Sequence, residues 1–149
     1  KEPKNILDLG AGSGILAIAA SMVFKDAKII ACDIDPISVE VAKTNDELNR
    51  PEGKTQAPIT HICSDGLNDK SIQASAPFDL LIANILAKPL IAMAPKIASA
   101  VAPNGTLLLS GILDVQSADV IKAYEAEGLT HLKTNLIDEW TTSLFHKNG

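Results

Sequence analysis

Three glycines at alternate positions, Gly10, Gly12 and Gly14, stand where one apolar run ends and another of different period begins. Upstream, Asn5-Ile6-Leu7-Asp8-Leu9 reads as a short strand, and downstream Ile15 to Phe24 reads as an apolar, alanine-rich helix with little polar face, expected to be buried. A strand that turns into a helix through glycines opens a doubly wound α/β sheet, because the backbone turns tightly and a ligand can approach main-chain atoms with no Cβ in the way. The spacing is G-x-G-x-G, and Ile15 occupies the position that would complete G-x-G-x-x-G.

The rest of the chain continues the alternation. Lys28 to Asp33 reads as a second strand, and Pro36 suits the first turn of a helix whose core stripe would be Ile37, Val41 and Leu48. Arg50 to Pro58 reads as a surface loop, and Ile59 to Cys63 as a third strand. Asp69 to Ala74 fits one or two helical turns. Phe78 to Ala83 is a near-continuous apolar run, as a central parallel strand covered on both faces requires. Pro89 to Val101 reads as a helix stopped by Pro103-Asn104-Gly105, and Thr106 to Ser110 as a fifth strand. Asp114 is placed to cap a helix from Val115 to Glu127, with Gly128 closing it. Leu132 to Ile137 and Thr141 to His146 follow with no helix between them, so they form an antiparallel hairpin. The expectation is one domain, residues 1–149, with a seven-stranded, mostly parallel sheet and a carboxy-terminal antiparallel hairpin.

Composition removes several classes of function. Thirteen basic residues stand against eighteen acidic ones, a net charge of −5, which argues against broad non-specific binding to nucleic acid or to an anionic membrane. No apolar run approaches the roughly 20 residues that span a bilayer. The start, Lys1-Glu2-Pro3-Lys4-Asn5, passes straight into a strand-like run, so no signal peptide is expected. Two cysteines, Cys32 and Cys63, read as reduced cytoplasmic thiols and small core residues on neighbouring strands. The histidines and cysteines lack ligand spacing, so no metal is expected. His61, His131 and His146 read as surface or sheet residues.

The candidate binding residues follow from the strand ends. Asp8 precedes the first glycine by two positions. A carboxylate there opposes a pyrophosphate and suits a cationic group such as the ammonium of a methionine moiety. Asp33 ends the second strand, where a carboxylate can accept from both hydroxyls of a ribose. A helix-capping acid is the competing reading, and Asp35, just before Pro36, fits that better. Ile34 joins the candidate cofactor-binding set. Asp65 could take an adenine amino group or could simply occupy a turn before Gly66.

Together these residues resemble class I S-adenosylmethionine-dependent methyltransferases. Ala83-Asn84-Ile85-Leu86-Ala87-Lys88-Pro89-Leu90, then Leu109-Ser110-Gly111-Ile112-Leu113 with Gln116, and Glu139-Trp140 near the end narrow the resemblance. They are similar to the bacterial family that methylates the eleventh protein of the large ribosomal subunit. The similarity runs from Ile6 to His146. It implies S-adenosyl-L-methionine bound by Asp8, Gly10, Gly12, Gly14, Asp33, Ile34, Asp65 and Asn84. It also implies methyl transfer to lysine side-chain and amino-terminal amines of that ribosomal protein, in the cytoplasm. Family members are about twice as long and carry an amino-terminal substrate-recognition domain, so these residues resemble an isolated catalytic domain with little turnover expected of it alone.

Asn84 stands where related enzymes carry Asn/Asp-Pro-Pro-Tyr/Phe, whose aromatic ring stacks a flat substrate. Here Ile85, Leu86 and Ala87 follow instead, and this favours an aliphatic amine over a base. Asn84 is the candidate catalytic residue, orienting an amine that arrives neutral, and a polar residue at a strand–helix turn is its alternative. Three rival functions stay open: a class I methyltransferase for a small molecule or nucleic acid, a nicotinamide-dependent oxidoreductase, and a cofactor-binding module without turnover.

Overall fold

A computed structural model describes residues 2–50, 52 and 55–149. Part of the expected Arg50–Pro58 loop (Pro51, Gly53 and Lys54) lies outside the described residues. The chain divides into two compact units, Lys1–Ser75 and Ala76–Gly149. The chain holds seven strands, three in the first unit and four in the second.

The first unit holds β1 (Asn5–Leu9), α1 (Ile15–Val23), β2 (Lys28–Asp33), α2 (Pro36–Leu48), β3 (Ile59–Cys63) and α3 (Lys70–Ser75). Its strands are all parallel, with Leu9 opposite Cys32 and Asp33 opposite Cys63, so the carboxyl ends of the three strands are level. The two longer helices correct the sequence reading. α2 buries Val39, Ala42 and Asp46, while Ile37 and Leu48 of the expected stripe are 72% and 78% exposed and Val41 is exposed too. Its inner face is built from small residues and one acid. Asp46 meets His61 Nε2 of β3 at 3.3 Å, and Arg50 reaches the same carboxylate at 3.0 Å. His61 is thus a sheet residue, one of the two expected readings, and its largely buried side chain partners an acid. α1 buries only Ala17, Ile18, Ala20 and Ser21 and leaves Ile15, Met22 and Val23 exposed. Cys32 is buried as expected, but Cys63 is exposed.

The second unit holds β4 (Phe78–Asn84), α4 (Ala87–Ala100), β5 (Val101–Leu113), α5 (Asp114–Ala126), β6 (Leu129–Ile137) and β7 (Trp140–Lys147). β4 and β5 are parallel, and β7 lies antiparallel between β5 and β6, forming the expected hairpin. β5 starts earlier than expected. Pro103-Asn104-Gly105 does not end an element but kinks this strand: its pairing with β4 jumps from Phe78↔Val101 to Leu80↔Thr106, with Asn104 at φ 61°. Asp114 is not the cap of α5 either. Leu113 holds the cap position and Asp114 is the first helical residue. Gln116 Oε1 accepts the Leu113 N–H at 3.3 Å. The buried Tyr124 hydroxyl of α5 donates to the Leu90 carbonyl of α4 at 2.9 Å, and Lys147 Nζ donates to Ala98 and Val101 carbonyls at the end of α4, both at 2.8 Å.

Candidate functional site

In the first unit the glycine loop is held mainly by acceptors of its own protein. Gly10 and Ala11 both donate their N–H groups to the Cys32 carbonyl, at 2.8 and 2.9 Å. Gly12 donates to Asp33 Oδ2 at 2.8 Å, and Gly14 donates to the Ala11 carbonyl at 2.8 Å. These four amides are thus committed, which leaves them no N–H to offer a phosphate. Gly12, at φ +54°, faces open space: a Cβ built there meets nothing within 4 Å. Gly14, at φ +81°, faces α2, where a Cβ would come 3.0 Å from that of Ala42.

That contrast predicts two different failures. Gly14→Ala should lower the unfolding free energy in urea by about 1–3 kcal/mol, because backbone strain adds to a contact against Ala42. Gly12→Ala carries strain alone and should cost less, while placing a methyl group in the open face of the loop. Equal stability loss in the two variants would contradict this account.

Asp8 lies beneath the loop rather than on its surface. It is 1% exposed, its Oδ2 accepts the Ala17 N–H at 2.9 Å, and its Oδ1 is buried with no partner. Burial pushes its carboxyl up from 3.8 to about 6, the Ala17 N–H pulls it down, and the Asp33 charge raises it further. Asp33 is half-buried. Its Oδ1 accepts the Asp35 N–H at 3.0 Å, so both oxygens hold backbone, with lone pairs to spare. Asp35 caps α2 through the Ile37 and Ser38 amides, and these bonds lower its carboxyl pKa. Ile34 is exposed beside Asp33, and the Cys63 thiol points to its carbonyl at 3.6 Å. Asp65 is exposed just past β3, before Gly66 at φ 59°. Burial raises the Cys32 thiol to about 12, which makes it unreactive.

In the second unit Asn84 is the last residue of β4 and is exposed. It lines a pocket of about 420 Å³ with Ile85, Leu86, Ser110, Gly111 and Trp140. Gly111 has φ +77°, and a Cβ there would fall 2.8 Å from Asn84 Oδ1 and 2.9 Å from the Ile85 carbonyl. Only glycine lets the end of β5 pass so close to that side chain. The Ser110 and Thr142 hydroxyls meet at 3.0 Å beside it.

Trp140 overturns one step of the sequence argument. No ring stands in the segment directly after Asn84, but β7 brings one to the same pocket. Ser110, Gly111 and Trp140 line the pocket with Asn84, and the sequence reading did not select them. Their signal lay in the Ser-Gly-Ile-Leu and Glu-Trp segments.

The family model described as Ribosomal protein L11 methyltransferase (PrmA) matches residues 1–148. The chain belongs to this family. A ribosomal protein L11 methyltransferase of Agrobacterium fabrum is 41% identical over 148 residues, 99% of this chain and 49% of that protein. One of Rhizobium leguminosarum bv. trifolii is 44% identical over 144 residues, 97% of this chain and 48% of that protein. The chain thus spans about half the length of the curated relatives it matches. The crystal structure of a ribosomal protein L11 methylase from Lactobacillus delbrueckii subsp. bulgaricus superposes with a TM-score of 0.83 at 28% identity, covering 99% of this chain and 72% of that one. The expected seven-stranded methyltransferase fold is thereby established. Among the described residues, no helix is long and apolar enough to cross a membrane and no group of three or more His, Cys, Asp or Glu could hold a metal ion.

Proposed function

We propose that these residues form a catalytic domain that binds S-adenosyl-L-methionine and transfers its methyl group to amines of a large-subunit ribosomal protein. The observation that carries the cofactor half is the glycine loop: four of its amides are internally bonded, its open face is at Gly12, Asp33 holds it at that residue, and Asp8, two positions before its first glycine, accepts the Ala17 N–H of α1. A buried carboxylate oxygen without a partner and an acceptor at the end of β2 fit an ammonium and a ribose, and disfavour a pyrophosphate. In this reading Asp33 would accept from the ribose hydroxyls, and Ile34 would cover one face of the adenine. Asp65 would take the exocyclic amino group. Asp8 would supply the negative field under the loop that favours a cation.

When bound, the cofactor supplies an electrophilic methyl on a sulfonium, so that a nitrogen lone pair forms the N–C bond as the C–S bond breaks to a neutral thioether. The chain's own contribution is alignment and exclusion of water. Asn84 Oδ1 accepts a hydrogen bond from the amine and aims its lone pair, while Ile85, Leu86 and Trp140 wall the pocket. A lysine amine, with a reference pKa of about 10.4, loses its proton to solvent before attack.

Calorimetry with S-adenosylmethionine and with NAD tests the cofactor assignment, and tighter binding of NAD would refute it. Asp33→Ala should weaken S-adenosylmethionine by about 1–3 kcal/mol, the cost of leaving ribose hydroxyls without their acceptor. Affinity equal to that of the unmodified protein would remove Asp33 from the site. Trp140 is the observation that favours a flat substrate, because an indole also stacks bases. Labelled cofactor added with a full-length enzyme carrying this domain to a ribosomal extract decides between them: label in one small protein supports the amine, and label confined to RNA supports the base.

A further inference from the structure

The tip of the β6–β7 hairpin stands beside the Asn84 pocket. Ile137 and Trp140 oppose each other at its end, and Trp140 also opposes Leu113 of β5. The Glu139 carbonyl accepts the Asp114 N–H at 2.9 Å, which ties the tip to the first turn of α5. Three exposed acidic residues belong to this tip and the adjoining helix start: Asp114, Asp138 and Glu139. Lys88, two residues past Leu86, is the cation nearest in sequence to the pocket lining. Among these charges the apolar side chains are strongly exposed, with Val115 at 87%, Ile137 at 73% and Trp140 at 46%.

We propose that this rim is a docking surface for a basic, lysine-bearing peptide segment. Its apolar side chains take the aliphatic stems of the segment, and Asp114, Asp138 and Glu139 attract the cations that flank the amine entering the pocket. The inference rests on the pocket being the acceptor site. Charge complementarity selects the occupant. A nucleic acid would bring phosphates against three carboxylates. A second copy docking this face on itself would bring the same three carboxylates together, on a chain already at −5. Lysine stems lie well along exposed aliphatic and indole surface while their heads stay in water, and an ammonium is attracted to an indole face.

Trp140 is the only tryptophan in the chain, so its fluorescence reports docking directly and independently of turnover. A short synthetic peptide carrying lysine among further basic residues should shift that emission saturably. An acidic peptide of equal length should not. Asp138 has φ 54°, a conformation that asparagine also tolerates, so D114N/D138N/E139Q removes the charge without reshaping the turn. That variant should bind the basic peptide on the order of ten-fold more weakly, and the salt dependence of binding should flatten. E139Q alone should lose part of the same affinity, and Lys133→Gln, in the middle of β6, none. In methylation assays KM for the peptide should rise while kcat stays within about two-fold. Equal affinity in the unmodified protein and the triple variant would overturn the proposal, as would tighter binding of the acidic peptide or of an RNA oligonucleotide. Charge-dependent binding without methyl incorporation by a full-length enzyme carrying this domain would refute the catalytic reading and leave the docking surface standing.

Discussion

Asp8→Asn should abolish a fall in stability that the unmodified protein shows as pH rises from about 4 to about 6. The Asp8 carboxyl titrates near 6 in the folded chain, chiefly because burial disfavours its charge, against an ordinary value of 3.8. Between those two values the folded state binds more protons than the unfolded state, so unfolding free energy decreases with rising pH. The stabilisation is complete below 3.8 and gone above 6, and its full span is about 3 kcal/mol, from a shift of about two units at 1.36 kcal/mol each. Asp35 and Asp69 act in the opposite sense and in another window. Their hydrogen bonds lower their carboxyl pKa values, so the stability they add is lost only as pH falls below 3.8. Asparagine keeps an acceptor for the Ala17 N–H and cannot titrate. Urea unfolding across pH 4 to 7 should therefore show a slope in the unmodified protein and a nearly flat line in the variant. An unchanged slope would mean that Asp8 is not the group responsible. The same charge bears on ligand binding. A cationic ligand group favours ionised Asp8, so S-adenosylmethionine should bind the unmodified protein more weakly as pH drops below about 6, and the asparagine variant without that dependence.

The succession of strands and helices, the terminal hairpin and the glycine loop were legible because each rests on a local signal: apolar runs, turn residues, and glycines at fixed offsets. What escaped the sequence has a common physical cause. Helix α2 turns its larger apolar side chains, Ile37 and Leu48, to the exposed face, and they advertise the wrong stripe. The buried face is small because Gly14 needs Ala42 close by, and it holds Asp46 because His61 and Arg50 partner that acid. Arg50 is only four residues from Asp46, but His61 and Gly14 lie far from their α2 partners in sequence. Asp114 looked like a cap because its residue type favours one, yet its amide is taken by the Glu139 carbonyl, a contact across the fold. The candidate site divides in the same way. Asp8, Asp33 and the glycines are adjacent to strand ends and could be read directly. Trp140 could not, since only the antiparallel return of β7 beside β5 carries it to the pocket that Asn84 lines.

Asn84→Ala should reduce kcat for amine methylation on the order of 100-fold, with cofactor affinity little changed, because a misaimed nucleophile forfeits that much even when it is still bound. Asn84→Asp keeps an acceptor and should retain more activity than the alanine variant. The test can be extended to Gly111, which touches no substrate in this reading and acts only by position. A methyl group there would fall 2.8 Å from Asn84 Oδ1 on a backbone at φ +77°, so Gly111→Ala must displace the Asn84 side chain or the strand end behind it. Its kcat should fall toward that of Asn84→Ala. The two substitutions should also be strongly non-additive, the double variant being scarcely slower than either single one, because both remove the same aimed oxygen. Additive losses would show that Gly111 serves the fold and not the aim of Asn84. Full activity in Asn84→Ala would remove this side chain from the chemistry and leave the pocket's acceptor role to the Ser110 hydroxyl or a main-chain carbonyl.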